Sequence, residues 1–167
     1  MNRNILLCFL FSSLIFSSFT SCKKYEPKIS VVFPCTIQYE IEQYIQKYKY
    51  MAVVYIDSTS CTSCSFSSLT IWKHLKKNLA ENDTGVLFII RHSDEQLVIN
   101  SLKTHQLLTI PFIFDKGGTF KESNEIYKFV KDNIFVIDKN RNVIMAESPI
   151  ANDKTWNMFL TKTKKNK

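Results

Sequence analysis

The sequence predicts an α/β domain, a central mixed sheet flanked by helices, with a C-terminal β-hairpin and helix. Two observations carry this prediction. Uniformly apolar, β-branched runs, which are typical of strands buried on both faces, alternate with segments whose apolar residues recur at helical spacing. Near the C-terminus two short apolar runs flank the turn sequence KNRN, which is typical of a hairpin. The 167 residues suffice for one domain with a real core.

Each element is predicted from its own pattern. Strands are expected at 51–56, 85–90, 110–114, 133–138 and 143–147, and helices at 37–50, 65–79, 93–105, 120–130 and 152–160. Ser93 or Asp94 is expected to cap the third helix, and Asn152 the last one. One apolar stripe of the second helix is expected to face the core: Phe66, Leu69, Trp72, Leu75 and Leu79. The run SVVF at 30–33 fits either a strand or the end of a linker.

The N-terminus has the layout of an exported protein. Residues 1–21 contain one arginine, a short apolar stretch and then small residues, which predicts a secretory signal peptide. The small residues before Cys22 resemble the lipobox of bacterial lipoproteins, in which the cysteine becomes the lipid-modified first residue. We therefore expect a protein of the bacterial cell envelope that is lipid-anchored to a membrane through Cys22. An uncleaved N-terminal anchor helix is the alternative, although so short a stretch seldom spans a bilayer.

These features give a domain plan and a charge balance. The tether or linker is expected at 22–36, the folded domain at 37–163, and a basic tail at 164–167. The formal net charge of +7 falls to +6 when Arg3 leaves with the signal peptide. No aromatic residues are interleaved with the basic tail, so a nucleic-acid partner is not expected. The tail is solvated or weakly attracted to anionic lipid.

The cysteines point to redox chemistry. Cys8 would leave with the signal peptide, which leaves Cys35, Cys61 and Cys64 besides the lipid-modified cysteine. In an oxidising compartment Cys61 and Cys64 can pair locally. A cysteine in the first turn of a helix faces free N–H groups and the positive end of the helix dipole, which favour the thiolate. Cys61 is therefore the predicted nucleophile and Cys64 the resolving thiol of a redox-active disulfide.

Other interpretations of the same cysteines are open. The pair could be a purely structural disulfide. It could also be half of a zinc site, but the remaining candidates, Cys35 and the three histidines His74, His92 and His105, follow no recognisable ligand spacing. We expect these histidines to be surface or core residues. Cys35 follows a proline near the start of the domain, and we expect it to be a small buried side chain.

Three stretches together resemble a known family: the strand–CTSC–helix unit, IPFIFDKGGTFKE and NIFVIDKNRNVIM. They resemble the thioredoxin superfamily, and more closely its exported TlpA-like, redoxin-type thiol–disulfide oxidoreductases, over residues 50–162. The resemblance implies a thioredoxin-like fold, with Cys61 and Cys64 as the redox pair and residues 138–142 as the hairpin turn. It also implies electron exchange with protein thiols and no dissociable cofactor.

The sequence departs from the family pattern at three points. Ser60 stands where tryptophan is usual, and Thr62 and Ser63 stand where Gly-Pro is common. Asp132 occupies the position of the family's cis-proline if NIFVID is its hairpin strand. A second register would instead assign that role to Pro111. A non-catalytic binding, assembly or metal-binding role is therefore an alternative, as is a peroxidase, although the Pro-x-x-x-Thr-x-x-Cys loop of peroxiredoxins does not occur.

Overall fold

The computed structural model describes residues 29–57, 66–130 and 132–164. Its helices are α1 Cys35–Ile45, α2 Thr70–Glu81, α3 Glu95–Thr104, α4 Thr119–Glu122 and α5 Asp153–Thr163. Its strands are β1 Tyr50–Asp57, β2 Thr84–Arg91, β3 Phe112–Phe114, β4 Ile134–Asp138 and β5 Val143–Met145. A 3₁₀-helix, Glu125–Lys128, follows α4. Among the described residues, no helix is both long and apolar enough to cross a bilayer.

The five strands form one mixed sheet in the order β3-β2-β1-β4-β5. Strands β1, β2 and β3 are parallel, whereas β4 is antiparallel to β1 and β5 is antiparallel to β4. The predicted mixed sheet, its C-terminal hairpin and the final helix are therefore confirmed. We call the edge where the three parallel strands end, at Asp57, Arg91 and Asp115, the carboxyl edge. The edge where they begin, at Tyr50, Thr84 and Pro111, is the amino edge.

Alternate residues of the central strands fill two cores. Val54 and Phe88 belong to the core that contains Trp72 of α2 and Phe159 of α5. Residues of the opposite parity, such as Val53 and Leu87, face α1 on the other side of the sheet. Both central strands are buried along almost their whole length, because each is covered on both faces. This double covering explains why their sequences are uniformly apolar.

The helix predictions are largely confirmed. Asp94 caps α3, since its Oδ1 accepts a hydrogen bond from the Leu97 N–H at 2.9 Å. Asn152 caps α5 in a reciprocal capping box with Thr155. The predicted stripe beside α2 is buried at Phe66, Leu69, Trp72 and Leu79, and Leu75 packs partly buried against the same core.

The single helix predicted at 120–130 is instead two short turns. Asn124 separates them, and it is 4% exposed. Its side-chain amide donates to the Phe120 and Val32 carbonyl oxygens, both at 2.7 Å, while its Oδ1 accepts from the Val32 N–H at 2.7 Å. The Asn124 side chain thus bonds the backbone of the N-terminal segment, and the helix does not continue through this residue.

That N-terminal segment packs on the domain. Val31 and Phe33 are each 3% exposed, although the predicted tether at 22–36 would include them. The Val31 N–H donates to the Arg141 carbonyl oxygen at 2.8 Å, and the Val143 N–H donates to the Ile29 carbonyl oxygen at 2.8 Å. The run SVVF therefore lies beside the turn between β4 and β5, with an isolated β-bridge at Ser30.

Candidate functional site

The predicted redox cysteines lie outside the described residues, as do Cys22 and the rest of residues 1–28. The structure does place both flanks of residues 58–65. Asp57 ends β1 at the carboxyl edge, and Phe66, fully buried, lies in the core beneath α2. The Cys-x-x-Cys segment therefore connects the carboxyl edge to the start of the helical region that contains Trp72.

Asp57 is the last described residue before that segment, and two cations flank it. Its Oδ2 lies 3.8 Å from Arg91 Nη1 and 3.9 Å from Lys121 Nζ. The Asp57 side chain is only 21% exposed, and its buried Oδ1 has no hydrogen-bond partner among the described residues. Asp57 and Arg91 face each other in the β1–β2 register, so the sheet itself positions this ion pair.

A glycine makes room for the arginine. Gly118 has φ +71°, in the left-handed region that glycine adopts without strain. A Cβ at this position would lie 2.8 Å from Cζ of Arg91. Glycine at 118 therefore allows both the turn into α4 and the close approach of the guanidinium group.

Asp115 is the second carboxylate of the carboxyl edge, and it is 2% exposed. It accepts hydrogen bonds from the Phe120 N–H at 3.1 Å, from Thr119 Oγ1 at 3.2 Å and from Tyr55 Oη at 3.3 Å. These three donors compensate for the burial of the carboxylate. They also join the end of β3 to β1 and to the start of α4.

Two tyrosines lie against this carboxylate. Burial, and then the negative charge of Asp115, raises the pKa of Tyr55 above its ordinary value of 10.0. Burial also raises the pKa of Tyr127, with further contributions from Tyr55 and Asp115. The two rings pack with centroids 5.4 Å apart. Both side chains are therefore neutral at pH 7. Within the described part of the chain, the Tyr55 hydroxyl donates to Asp115, whereas the buried Tyr127 Oη has no partner.

The structure distinguishes the two registers of the family pattern. Tyr55 N–H donates to the Asn133 carbonyl oxygen at 2.9 Å, so the chain at Asp132 reaches the carboxyl edge beside the end of β1. Asp132 itself is exposed. Pro111 lies at the amino edge, where it borders a cavity of about 240 Å³ with Tyr48 and Lys76. These positions favour the register that uses Asp132 over the one that uses Pro111, because this proline lies at the opposite end of the sheet from the end of β1.

Cys35 was expected to be buried, and this expectation is wrong. It is exposed at the first position of α1 and not buried. The core-facing positions of this helix are Ile37, Ile41 and Ile45, so position 35 points away from the sheet. Of the histidines, His74 is exposed, and His92 Nδ1 accepts a hydrogen bond from the Asp94 N–H at 2.8 Å. In the described part of the chain, no three His, Cys, Asp or Glu side chains form a group suited to a metal ion.

The charged residues of the carboxyl edge were not singled out from the sequence, although a signal for them exists. Each of the three apolar strands is followed at once by a charged residue: MAVVYI by Asp57, GVLFII by Arg91 and IPFIF by Asp115. The carboxyl ends of parallel strands meet at one edge of a sheet, which is where ligands commonly bind in α/β folds. This pattern would have placed all three residues together.

Solved structures with a similar fold come from thiol–disulfide exchange proteins. The thioredoxin domain of a thiol-disulfide oxidoreductase from Bacteroides vulgatus matches with a TM-score of 0.53 and 13% identity, over 71% of this chain and 81% of that chain. A thiol:disulfide interchange protein from Bacteroides sp. matches with a TM-score of 0.51 and 11% identity, over 81% and 85%. A structure titled as the thiol:disulfide interchange protein DsbE of Chlorobium tepidum gives 0.55 and 13%, over 73% and 85%.

No protein-family model matches the sequence, and no curated protein matches it either. At the identities of the solved structures, the likeness concerns the fold. The order of the strands and the positions of the flanking helices agree with the fold that the sequence motifs imply. The chain therefore has the thioredoxin-like fold.

Proposed function

We propose that this protein is a membrane-tethered thiol–disulfide oxidoreductase that exchanges electrons with protein thiols through Cys61 and Cys64. The observation that supports the proposal most is the position of the described residues on either side of 58–65. Asp57 ends β1 at the carboxyl edge of a thioredoxin-like sheet, and the buried Phe66 lies in the core that contains Trp72. Proteins titled as thiol–disulfide oxidoreductases share this fold.

The exchange proceeds in two displacements. The Cys61 thiolate attacks one sulfur of a partner disulfide, and the other partner sulfur leaves as a thiolate and takes up a proton. The Cys64 thiolate then attacks the Cys61 sulfur of the mixed disulfide, and the second partner sulfur leaves. Two electrons pass to the partner dithiol, and Cys61 and Cys64 become a disulfide. The reverse sequence oxidises a partner, and neither direction needs a dissociable cofactor.

The charges at the carboxyl edge bear on the reactivity of the nucleophile. Asp57 lies four residues before Cys61, and a carboxylate near a thiol disfavours the thiolate and raises the thiol pKa. Arg91 and Lys121 oppose this effect, because they place two positive charges on the same carboxylate. The described residues therefore supply a nearly balanced field to the predicted site.

Trapping of the mixed disulfide tests the proposal. Cys64→Ser leaves the first displacement possible and blocks the second, so partner proteins should stay attached to Cys61 and be released by dithiothreitol. Cys61→Ser is the matched control and should trap far less. In the reduced protein we also expect faster alkylation of Cys61 than of Cys64. If neither variant retains a partner and the wild-type protein shows no reversible couple between about −120 and −270 mV, the proposal is wrong.

A non-catalytic binding or assembly role is the second candidate, and one observation favours it. Asp132, and not a proline, stands at the carboxyl edge where the chain approaches β1. A domain in that role would hold partners without turnover. The same redox titration separates the two, because a binding module has no need of a reversible dithiol–disulfide couple.

Membrane attachment through Cys22 belongs to the proposal as well. Cys22→Ser should release the protein from membranes or block its processing. Unchanged attachment of this variant would support an uncleaved anchor helix instead.

A further inference from the structure

The amino edge of the sheet is rich in lysine. Exposed lysines cluster at the amino edge, where Lys47 and Lys49 precede β1 and Lys139 lies in the turn between β4 and β5. Lys76 of α2 joins them, since its Nζ donates to the Thr109 carbonyl oxygen just before β3, at 2.7 Å. We call Lys47, Lys49, Lys76 and Lys139 the basic edge surface.

Most carboxylates near this surface already have partners. Glu42 pairs with Arg141, and Asp83 accepts a hydrogen bond from the Lys49 N–H at 3.2 Å. Asp138 accepts from the backbone N–H and the side-chain amide of Asn142. The four lysine side chains of the basic edge surface are exposed.

The carboxyl edge carries charges of both signs. Its carboxylates include Asp57, Asp94, Asp115, Asp132, Glu147 and Asp153, and its cations include Arg91, Lys116, Lys121 and Lys154. The first turn of α5 lies at this edge too, because Asn152 and Thr155 border the same cavity as Asp132. Positive charge is thus concentrated at the amino edge, the positive end of the domain, whereas the carboxyl edge carries charges of both signs.

The chain enters the domain at the positive end. Ile29, the first described residue, accepts a hydrogen bond from the Val143 N–H, and Ser30 bridges Asn142, both beside the turn that contains Lys139. Ile29 lies seven positions after Cys22, the predicted site of the lipid. A chain of that length spans at most about 25 Å. The tether therefore attaches to the domain at the amino edge and keeps this edge within that distance of the bilayer.

We propose that the basic edge surface binds the anionic headgroups of the membrane to which the protein is tethered, so that the carboxyl edge and its cysteines face away from the bilayer. The proposal rests on the lipid anchor of the proposed function. Lysines within a few ångströms of an anionic leaflet are attracted to it, and the attraction falls off within about one Debye length, roughly 8 Å. The carboxyl edge, with charges of both signs, has no comparable attraction, so the exposed lysines favour one orientation.

Amine footprinting of the full-length protein reconstituted in vesicles tests the orientation. Lys47, Lys49 and Lys139 should react with an acylating reagent several-fold more slowly in vesicles with about 30% phosphatidylglycerol than in pure phosphatidylcholine. Lys116 and Lys154, at the carboxyl edge, should react equally in both. Salt at about 0.5 M should abolish the difference. Equal reactivity of the two groups of lysines in anionic vesicles would overturn the proposal.

A pair of charge-reversed variants sharpens the test. Lys49→Glu with Lys139→Glu should lose the protection of Lys47, whereas the matched control, Lys128→Glu with Lys154→Glu, should keep it. If both double variants protect Lys47 equally, the basic edge surface is not the contact. If high salt removes the wild-type protein from all vesicles, the predicted lipid anchor and this proposal are both wrong. Disulfide exchange, measured on the same samples, reports on the redox function separately.

Discussion

The hydroxyl groups of Tyr55 and Tyr127 can each be removed by a single substitution, which gives two matched variants near the carboxyl edge. Tyr55→Phe and Tyr127→Phe each remove one oxygen from neighbouring rings that pack 5.4 Å apart. Tyr55 Oη donates to the buried Asp115, whereas the buried Tyr127 Oη has no partner among the residues that the structure describes. The same chemical change should therefore have opposite effects on the free energy of unfolding.

The size of each effect follows from these contacts. A hydrogen bond to a charged group contributes about 1.5–3 kcal/mol, and the 3.3 Å separation of Tyr55 Oη from the Asp115 oxygen favours the lower end. Tyr55→Phe should thus destabilise by about 1.5 kcal/mol, since Asp115 keeps its bonds from Thr119 and Phe120. Tyr127→Phe removes an unsatisfied buried hydroxyl and should stabilise by about 1 kcal/mol.

Urea denaturation at pH 7 measures both. With an m-value of about 1.5 kcal/mol per molar urea, the midpoint of unfolding should fall by about 1 M for Tyr55→Phe. For Tyr127→Phe it should rise by about 0.5 M or more. The m-value should stay constant, and the double variant should show whether the two effects add. Equal destabilisation by both single changes would refute the reasoning, because it would mean that the Asp115 hydrogen bond does not distinguish the tyrosines.

The same tyrosines predict how stability changes at alkaline pH. The pKa of each is raised in the folded state, so the folded protein holds these protons more tightly than the unfolded chain does. Their contribution is complete below the ordinary pKa of about 10 and is lost as the pH rises above it, by up to about 1.4 kcal/mol per unit for each tyrosine. Either Phe variant should flatten this decline in urea titrations between pH 9 and pH 11.

Three other changes test separate parts of the description. Asp132→Pro should lower the Cys61 pKa and speed exchange with a thioredoxin-like substrate, because the substitution removes a carboxylate from the carboxyl edge. Pro111→Ala, at the amino edge, is the control and should change only stability. An equal change of the Cys61 pKa in both variants would contradict the register that uses Asp132. Cys35→Ser should leave disulfide exchange nearly intact in an insulin-reduction assay, and a large loss would give this exposed thiol a role. Asn152→Ala should cost about 1 kcal/mol in urea denaturation by removing the cap of α5, and an unchanged midpoint would argue against that cap.

The sheet could be predicted because its central strands are buried on both faces. That burial demands the uniform apolar runs at 51–56 and 85–90, which leave little ambiguity in the sequence. The helix predicted at 120–130 failed for the opposite reason. Its break depends on hydrogen bonds between Asn124 and Val32, which lie 92 residues apart, and local periodicity carries no information on such a contact.

Some features of the candidate site could likewise be predicted from local sequence, and others could not. The roles assigned to Cys61 and Cys64 come from their spacing and from the strand before them, and they stay predictions because both residues lie outside the described chain. The ion pair of Asp57 with Arg91 could not be derived from spacing alone. It requires the β1–β2 register, which brings two residues 34 positions apart to opposite points of neighbouring strands.

The carboxyl edge shows how the chain approaches β1 without the family's proline. Asn133 has φ +53°, a left-handed conformation that asparagine tolerates better than most residues. From that conformation its carbonyl oxygen accepts the hydrogen bond from Tyr55 N–H, and β4 begins at the next residue. Asn133 thus turns the backbone into the sheet at the point where a proline would otherwise shape it. The carboxyl edge beside β1 is therefore built from a turn in which the exposed Asp132 precedes Asn133.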